Sequence, residues 1–498
     1  MILAGFHSIY RWVPFAILLI FASCLPCYCQ ETNDYQTFDL KIKRLRSSDP
    51  LRFKPGISEA GLKFAIDREI KTYLNGGFPF AQAKFDTLQT SSRTQVFLSI
   101  DPGPEIVNGP IILEADTSFN TKMLARFLRF KAGQNFSLDK FSLIPILINQ
   151  LQMAQSVRSP SLEWFGEKAV LHVYLERRRN NSFTGILGIL PQTENSSPIV
   201  TGNIDASLNN LFGRGLALDL KWNRFAPSSQ TAQVKVLYEA LGYNGLGFEA
   251  LADLFRQDSL LNRQRFEFRI ITSPSGIWKY KAGIQAISAS SNFGSGSAIN
   301  QKVKTQSLTF SVVYELVPPE FIALKSTYFS AVLRPTLKSF QTKEGEQKIP
   351  QADVQVQFAW PFPLPFNRFA LQTSGQFSGV WSETILVPDQ SQAGGIKTIR
   401  GFNENAFFTT QYALLTIQPR FLIDKNTLFN LFGQAMAFNP TLNSTNITTP
   451  NWAFSVGLGL ELDLGANRIQ LSLANGFSKE LPIDLQTSKI HFGYVARF

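Results

Sequence analysis

The chain has 498 residues, 48 Lys and Arg against 37 Asp and Glu, and a formal net charge of +11. That length implies two or three structural units rather than one ordinary domain. Charged residues make up only 17% and the basic ones are scattered, which argues against nucleic acid as a partner. Past residue 29 no stretch offers the roughly 18 apolar residues of a membrane helix.

Residues 1–29 read as a targeting segment. Arg11 precedes an apolar run over 12–25, and Cys27-Tyr28-Cys29 supplies the cleavage spacing before Gln30. Phe21-Ala22-Ser23-Cys24 approaches a lipobox, so simple cleavage and a lipid anchor on Cys24 are both open. All three cysteines fall in this segment. A chain cleaved near Gln30 has neither a disulfide framework nor a thiolate metal site.

From 36 to 179 the pattern is mixed α and β. Ser58 is placed to cap a helix with Leu62, Ile66, Ile70, Tyr73 and Leu74 on one face, ending at Asn75-Gly76-Gly77. Strands are expected at 82–87 and 94–100, which completes a module over 36–103. About 20 residues precede the helix, too few for a full first half, so this module is expected to be abbreviated. A second module over 104–179 has helices marked by Leu124, Phe127 and Leu128 and by 141–151. Its strands fall near 161–164 and 169–176, and Pro145 should kink the second helix. Arg177-Arg178-Arg179 closes the module as a solvated linker or a contact for anionic lipid headgroups.

After residue 180 the helical period gives way to alternation. Leu216, Leu218, Leu220 and Trp222 share one face; Asp219, Lys221 and Asn223 share the other. Trp222, Phe358 and Trp360 are expected to face lipid, and Asp219, Gln355 and Gln357 a wet lumen. An apolar face backed by a polar one over about ten positions suits a transmembrane β-strand, and the 44 phenylalanines suit lipid-facing strands and aromatic girdles. Eleven strands are expected before residue 383, the ninth at 322–332, and five after 406, about sixteen in all. Long outer loops are expected at 289–303, 333–350, 383–406 and 439–451, alternating with short turns.

Within the loop at 383–406, Ile399-Arg400-Gly401-Phe402 resembles the Val/Ile-Arg-Gly-Phe/Tyr signature of the BamA/TamA superfamily of outer-membrane barrels. Two other stretches carry the likeness. Asn210-Leu211-Phe212-Gly213-Arg214-Gly215 resembles the family's turn between the second and third barrel strands. The end, with Gly493, Tyr494 and Phe498, resembles the C-terminal insertion signal, although Ala496 is small where a bulky residue is usual.

The resemblance implies a transmembrane β-barrel of about sixteen antiparallel strands over 180–498, preceded by small α+β modules of the periplasmic POTRA type. It also implies that the loop folds back into the lumen and that wall groups hold Arg400. Family members commonly offer a carboxylate on the strand after next, where this chain has Gln434. Gln418 stands where Glu is frequent. Glu404, Glu461 and Asp463 are the carboxylates expected to substitute.

No enzyme chemistry is expected: His172 and His491 are the only histidines after the targeting segment, and neither has a nucleophile placed beside it. No cofactor or metal is expected. The implied function is assembly or insertion of outer-membrane proteins, with outer-membrane lipids, unfolded client polypeptides and periplasmic accessory proteins as partners. The alternatives are a pore secreting one unfolded polypeptide, as in two-partner secretion, and a passive channel.

Overall fold

The computed structural model describes residues 38–44, 52–90, 93–115, 119–151, 153–177, 181–190, 199–226, 228–257, 261–292, 300–316, 326–342, 345–362, 364, 367–395, 398–403, 405–439, 451–464, 467–479 and 488–497. The targeting segment with Cys24, Glu404 and the closing Phe498 lie outside them.

The first unit contains β1 (Phe38–Arg44), β2 (Arg52–Ile57), α1 (Glu59–Asn75), β3 (Gln82–Thr90) and β4 (Arg93–Asp101). Its sheet runs β2-β1-β4-β3, with β1 and β4 parallel. Ser58 caps α1: its carbonyl accepts from Leu62 N at 2.8 Å and its hydroxyl from Gly61 N at 3.2 Å. The helix lays Leu62, Ile66 and Tyr73 on Leu40, Ile42, Val96, Leu98 and Ile100, which form the core. Strand β2 stands where a βααββ module carries its first helix.

The second module does have the βααββ order, in β5 (Val107–Ala115), α2 (Thr121–Phe127), α3 (Leu138–Gln150), β6 (Ala154–Phe165) and β7 (Lys168–Arg177). Asn120 and Ser137 cap the two helices, accepting from Met123 N and Lys140 N. Pro145 lies inside α3, which runs on to Gln150.

Sixteen strands then close a barrel. In chain order they are β8 (Ser182–Leu190), β9 (Ile199–Leu211), β10 (Leu216–Ala226), β11 (Ser229–Tyr238), β12 (Leu246–Gln257), β13 (Leu261–Thr272), β14 (Trp278–Asn292) and β15 (Asn300–Leu316). After these come β16 (Thr327–Thr342), β17 (Gly345–Phe362), β18 (Phe369–Ser382), β21 (Gln411–Asp424), β22 (Thr427–Phe438), β23 (Asn451–Asp463), β24 (Asn467–Ser478) and β25 (Lys489–Arg497). The short strands β19 (Ser391–Ala393) and β20 (Phe407–Thr409) belong to the long loop between β18 and β21. Eleven barrel strands thus precede that loop and five follow it, as the alternation implied. All sixteen neighbours are antiparallel, so backbone donors and acceptors are met strand to strand without a helix, as a bilayer core demands, except at the joint of the first and last strands.

Side chains sort by parity. Outward positions carry Phe266, Phe268, Ile284, Leu308, Trp360, Leu415, Leu431 and Val456, all exposed as only lipid would favour. Inward positions carry Asp219, Glu249, Arg269, Lys281, Gln355 and Glu461, and charges pair across the wall: Lys235 with Asp219 at 2.9 Å and Arg265 with Asp253 at 3.5 Å on adjacent strands, and Lys281 with Glu249 at 2.9 Å across β13. Among the described residues no helix is long and apolar enough to cross a membrane; the chain crosses with its barrel strands.

The expected loop at 333–350 is a correction. β16 runs to Thr342 and β17 starts at Gly345, so these residues are paired strand, with Arg334 opposite Asp353 and Leu337 opposite Pro350. Strand nine runs over Thr327–Thr342 among the described residues, and 322–325 of its expected span lie outside them.

The second module and the barrel share one core. Leu124, Leu128, Ile144 and Ile148 pack in the same cluster as Ala240 and Tyr238 at the end of β11. The turn Asn210–Gly215 does join the second and third barrel strands; Asn210 Oδ1 accepts from Gly215 N at 2.8 Å, and Met123 of α2 lies against Gly215. Arg129, in a left-handed conformation with φ 59°, donates to Pro274 O at 2.8 Å, and Gln150 donates to Gly276 O at 2.6 Å. Burial pushes the Arg129 pKa down, partly offset by the nearby Glu239 carboxylate. The module therefore seats on the turns that follow β9, β11 and β13, at the end of the barrel opposite the long loop.

Candidate functional site

Residues 383–410 leave β18, enter the barrel and return as β21. The descending arm starts with the tight turn Val387–Asp389. Asp389 Oδ2 accepts from Leu386 N at 2.8 Å and from Lys338 Nζ at 2.7 Å, and Lys338 also donates to Thr384 O. Both ion-pair side chains are buried, Lys338 at 0% and Asp389 at 2% exposure. The hairpin of β19 and β20 follows, fastened to the wall where the Ser391 and Ser378 hydroxyls meet at 2.8 Å. Between this arm and strands β13, β16 and β17 lies a polar cavity of about 300 Å³ lined by Arg263, Arg334, Asp353, Gln355 and Asn405.

The hairpin tip carries the motif. Ile399 and Phe402 are buried with Ala393, Tyr412, Leu414, Met436 and Ala453, an apolar patch inside an otherwise polar lumen. Phe402 meets Phe407 edge-on at 5.0 Å, and Phe407 meets Phe438 at 4.9 Å. Gly401 has φ 85°, and a Cβ there would lie 2.5 Å from Gly476 N on β24. Gly476 in turn lies under the Phe402 ring. The tip reaches the wall because neither glycine has a side chain.

Arg400 is held by Gln434. Its backbone N and its Nε donate to Gln434 Oε1 at 2.8 and 3.3 Å, while Gln434 Nε2 donates to Thr398 O and Thr416 Oγ1 at 3.1 and 3.0 Å. The guanidinium lies 3.4 Å over the Phe432 ring, a cation–π contact absent from the sequence reading. Phe432 and Gln434 are two apart on β22 and share its inward face, so the signal was present in the alternation.

Of the other expected partners, Glu404 lies outside the described residues, and Glu461 acts on Arg400 through space without an ion pair to it. Glu461 pairs with Arg468, and Asp463 lies opposite Arg468 in the register, nearer the turn. Gln418 faces Gln372 and makes no hydrogen bond to Arg400 among the described residues. The tip docks high on β22 and β24, and Glu461, opposite Leu428, and Asp463 lie lower on the wall. Replacing Arg400 with Ala is expected to weaken tip docking by about 1–3 kcal/mol, the size of one desolvated cation–π contact with a hydrogen bond to a charge. Faster cleavage of the loop by protease in folded barrels reports it, and Arg400→Lys should recover only part because an ammonium cannot stack.

The seam between the first and last strands is the second feature. β25 and β8 share two register pairs, Ala496 with Phe183 and Arg497 with Ser182. Their other neighbours hold nine pairs for β8–β9 and eight for β24–β25. Among the described residues, the edges of β8 and β25 beyond the two pairs have no partner strand along most of their length. In β25, Tyr494 points outward with its hydroxyl donating to Asn467 Oδ1 at 3.0 Å, and Gly493 lies opposite Gln470. His172 sits in the second module between Glu163, at 3.0 Å, and Glu114, at 3.6 Å.

No protein-family model matches the sequence, and no curated protein matches it. Solved structures do. BamA from Haemophilus ducreyi lacking POTRA domains 1–3 aligns with a TM-score of 0.50 and 14% identity over 90% of this chain and 96% of that one. CdiB from Acinetobacter baumannii gives 0.57 and 16% over 94% and 91%. CdiB from Escherichia coli gives 0.55 and 13% over 96% and 93%. The chain has the fold of the BamA/TamA superfamily, a sixteen-stranded transmembrane barrel behind small α+β modules.

Proposed function

We propose that this chain works in the bacterial outer membrane as an assembly factor that inserts unfolded barrel polypeptides. The observation that carries the reading is the seam: two strand edges, held together by two register pairs, in a barrel whose other joints are fully laddered. An edge of free N–H and C=O groups recruits an incoming strand by β-augmentation, and the ladder gained supplies the driving force without a nucleotide. Under this reading the α+β modules are periplasmic, where sheet edges at β3 and β6 offer further strand-addition sites for clients or accessory proteins. No catalytic step is assigned to the chain.

A second reading, a pore secreting one unfolded polypeptide, is favoured by the plug. Among the described residues the loop is fixed to the wall chiefly by side chains, at Lys338, Ser378 and Gln434, and such contacts can be exchanged for contacts to a threading chain. The fold likeness to the two CdiB chains is at least as high as that to BamA.

Two engineered disulfides separate the readings, because the only native cysteines are Cys24, Cys27 and Cys29. Phe183→Cys with Ala496→Cys locks the seam; Ser378→Cys with Ser391→Cys locks the plug. An assembly factor loses function with the seam locked, seen as a fall in several unrelated outer-membrane barrels that reductant reverses. A secretion pore tolerates the seam lock and stops with the plug locked. Normal barrel levels under a fully oxidised seam would overturn the assembly reading.

A further inference from the structure

The outer wall of β12–β17 departs from a plain lipid-facing belt. Across it lies a groove of about 940 Å³. Its floor is made of Ala250, Ala252 and Ala286, and Phe266, Phe268 and Leu308 stand up around it. The register shows how it arises. One row across the strands reads Ala250, Phe268, Ile284, Leu308, and the next reads Ala252, Phe266, Ala286, Gln306, Leu337. Small side chains at Ala250, Ala252 and Ala286, set among Phe266, Phe268, Ile284 and Leu308, cut the channel. Gln306 places an outward-facing amide in that apolar channel, a costly residue against hydrocarbon unless a polar group meets it.

The rows directly beyond, away from the docked module, turn basic and hydroxylated. They read Leu254, Gln264, Ser288, Lys304, Ser339, Lys348 and then Arg256, Asn262, Ser290, Lys302. Lys302, Lys304, Lys348 and Arg256 are all exposed, and Glu346 is the one outward carboxylate close by among the described residues. Apolar channel, amide, hydroxyls and cations thus follow one another in the order of an acyl chain, its linkage and an anionic head.

We propose that this face is a specific binding site for a phosphate-bearing, multiply acylated lipid in the leaflet on the side of the barrel away from the second module. Acyl chain fills the alanine-floored groove, Gln306 hydrogen-bonds the linkage carbonyl, and Lys302, Lys304 and Lys348 receive the phosphate, with Arg256 at the rim. The site depends on the barrel and its register alone, so it stands whether the chain assembles, secretes or merely conducts.

The test uses the full chain, purified in mild detergent after reconstitution with bisphosphorylated lipid A, with the same lipid dephosphorylated, or with phosphatidylglycerol, and native mass spectrometry to count retained lipid. One bisphosphorylated lipid A per chain is expected to remain, with at least tenfold less of the dephosphorylated form. Lys302→Gln/Lys304→Gln/Lys348→Gln should lower retention about tenfold. Ala252→Phe/Ala286→Phe fills the groove, leaves every charge in place, and should lower it as much. Heat-modified migration on gels confirms that each variant is folded; all the substituted side chains face outward, away from the lumen. Equal retention of phosphorylated and dephosphorylated lipid, or phosphatidylglycerol held as firmly as lipid A, overturns the proposal, the latter reducing the lysines to a general attraction for anionic membrane. Retention unchanged in the filled-groove variant overturns it as well.

Discussion

Replacing Lys338 with methionine is expected to release the plug. The substitution leaves Asp389 as a buried carboxylate with Leu386 N as its remaining donor, since its other hydrogen bond comes from the lost ammonium. Breaking a pair this buried costs about 3–5 kcal/mol, most of it the desolvated charge left behind rather than the attraction removed. A loop has an escape that a strand lacks: it can leave the wall and hydrate the carboxylate. The measured cost is therefore capped by the docking energy of residues 383–410, and local opening appears before global unfolding. Lys338→Met combined with Asp389→Asn removes both charges, keeps an acceptor for Leu386 N, and should restore protection of the loop to within about 1 kcal/mol of the parent. Hydrogen exchange at Leu386 and Gln390, with limited proteolysis of the loop, reads all three proteins. Equal protection in the single and double variants would show that the pair does not anchor the plug.

Much of this architecture was legible because a membrane barrel imposes one rule everywhere. Each residue faces either lipid or water, so period-two alternation persists through strands such as β10 and β23, and counting strands on each side of the loop placed it correctly. Where the rule was obscured the reading failed. Residues 333–350 contain Pro335 and Pro350 on the outward face and Arg334 and Lys338 on the inward one. Prolines argue against a strand, and long basic side chains look like solvent exposure until a lumen is supplied for them.

The site divides along the same line. Gln434 was found because the family resemblance marks that place on the strand after next. Lys338 and Asp389 are 51 residues apart, on the wall and in the loop, and no local pattern joins them. Phe432 carried no expectation, for another reason. An aromatic on a strand that faces lipid on one side is expected to face it, whereas this ring is buried against the lumen and serves as the platform for Arg400. Gly457 on the next strand leaves room for that ring.

Gly401→Ala should undock the motif more completely than any change at Arg400. At φ 85° an L-residue is strained by roughly 1–2 kcal/mol. The added Cβ also lies 2.5 Å from Gly476 N and 2.7 Å from Asn475 C, which are backbone atoms of β24 laddered to Ser455 and Val456 of β23, not the far end of a flexible side chain. Overpacking of that kind adds about 1–3 kcal/mol, for a total of about 2–5 kcal/mol. Gly476→Ala makes the mirror-image clash, with its Cβ 2.5 Å from Phe402 Cε2. It meets a side chain that can turn, so its cost should stay at about 1–3 kcal/mol. The two variants then respond differently to a second change. Phe402→Leu relieves Gly476→Ala by clearing the ring, and does nothing for Gly401→Ala, whose obstacle is the wall itself. Loop protection against protease should fall in the order parent, Gly476→Ala, Gly401→Ala. Gly401→Ala as resistant as the parent would mean that the tip does not press against β24, and the docking of Ile399, Arg400 and Phe402 would lose its physical basis.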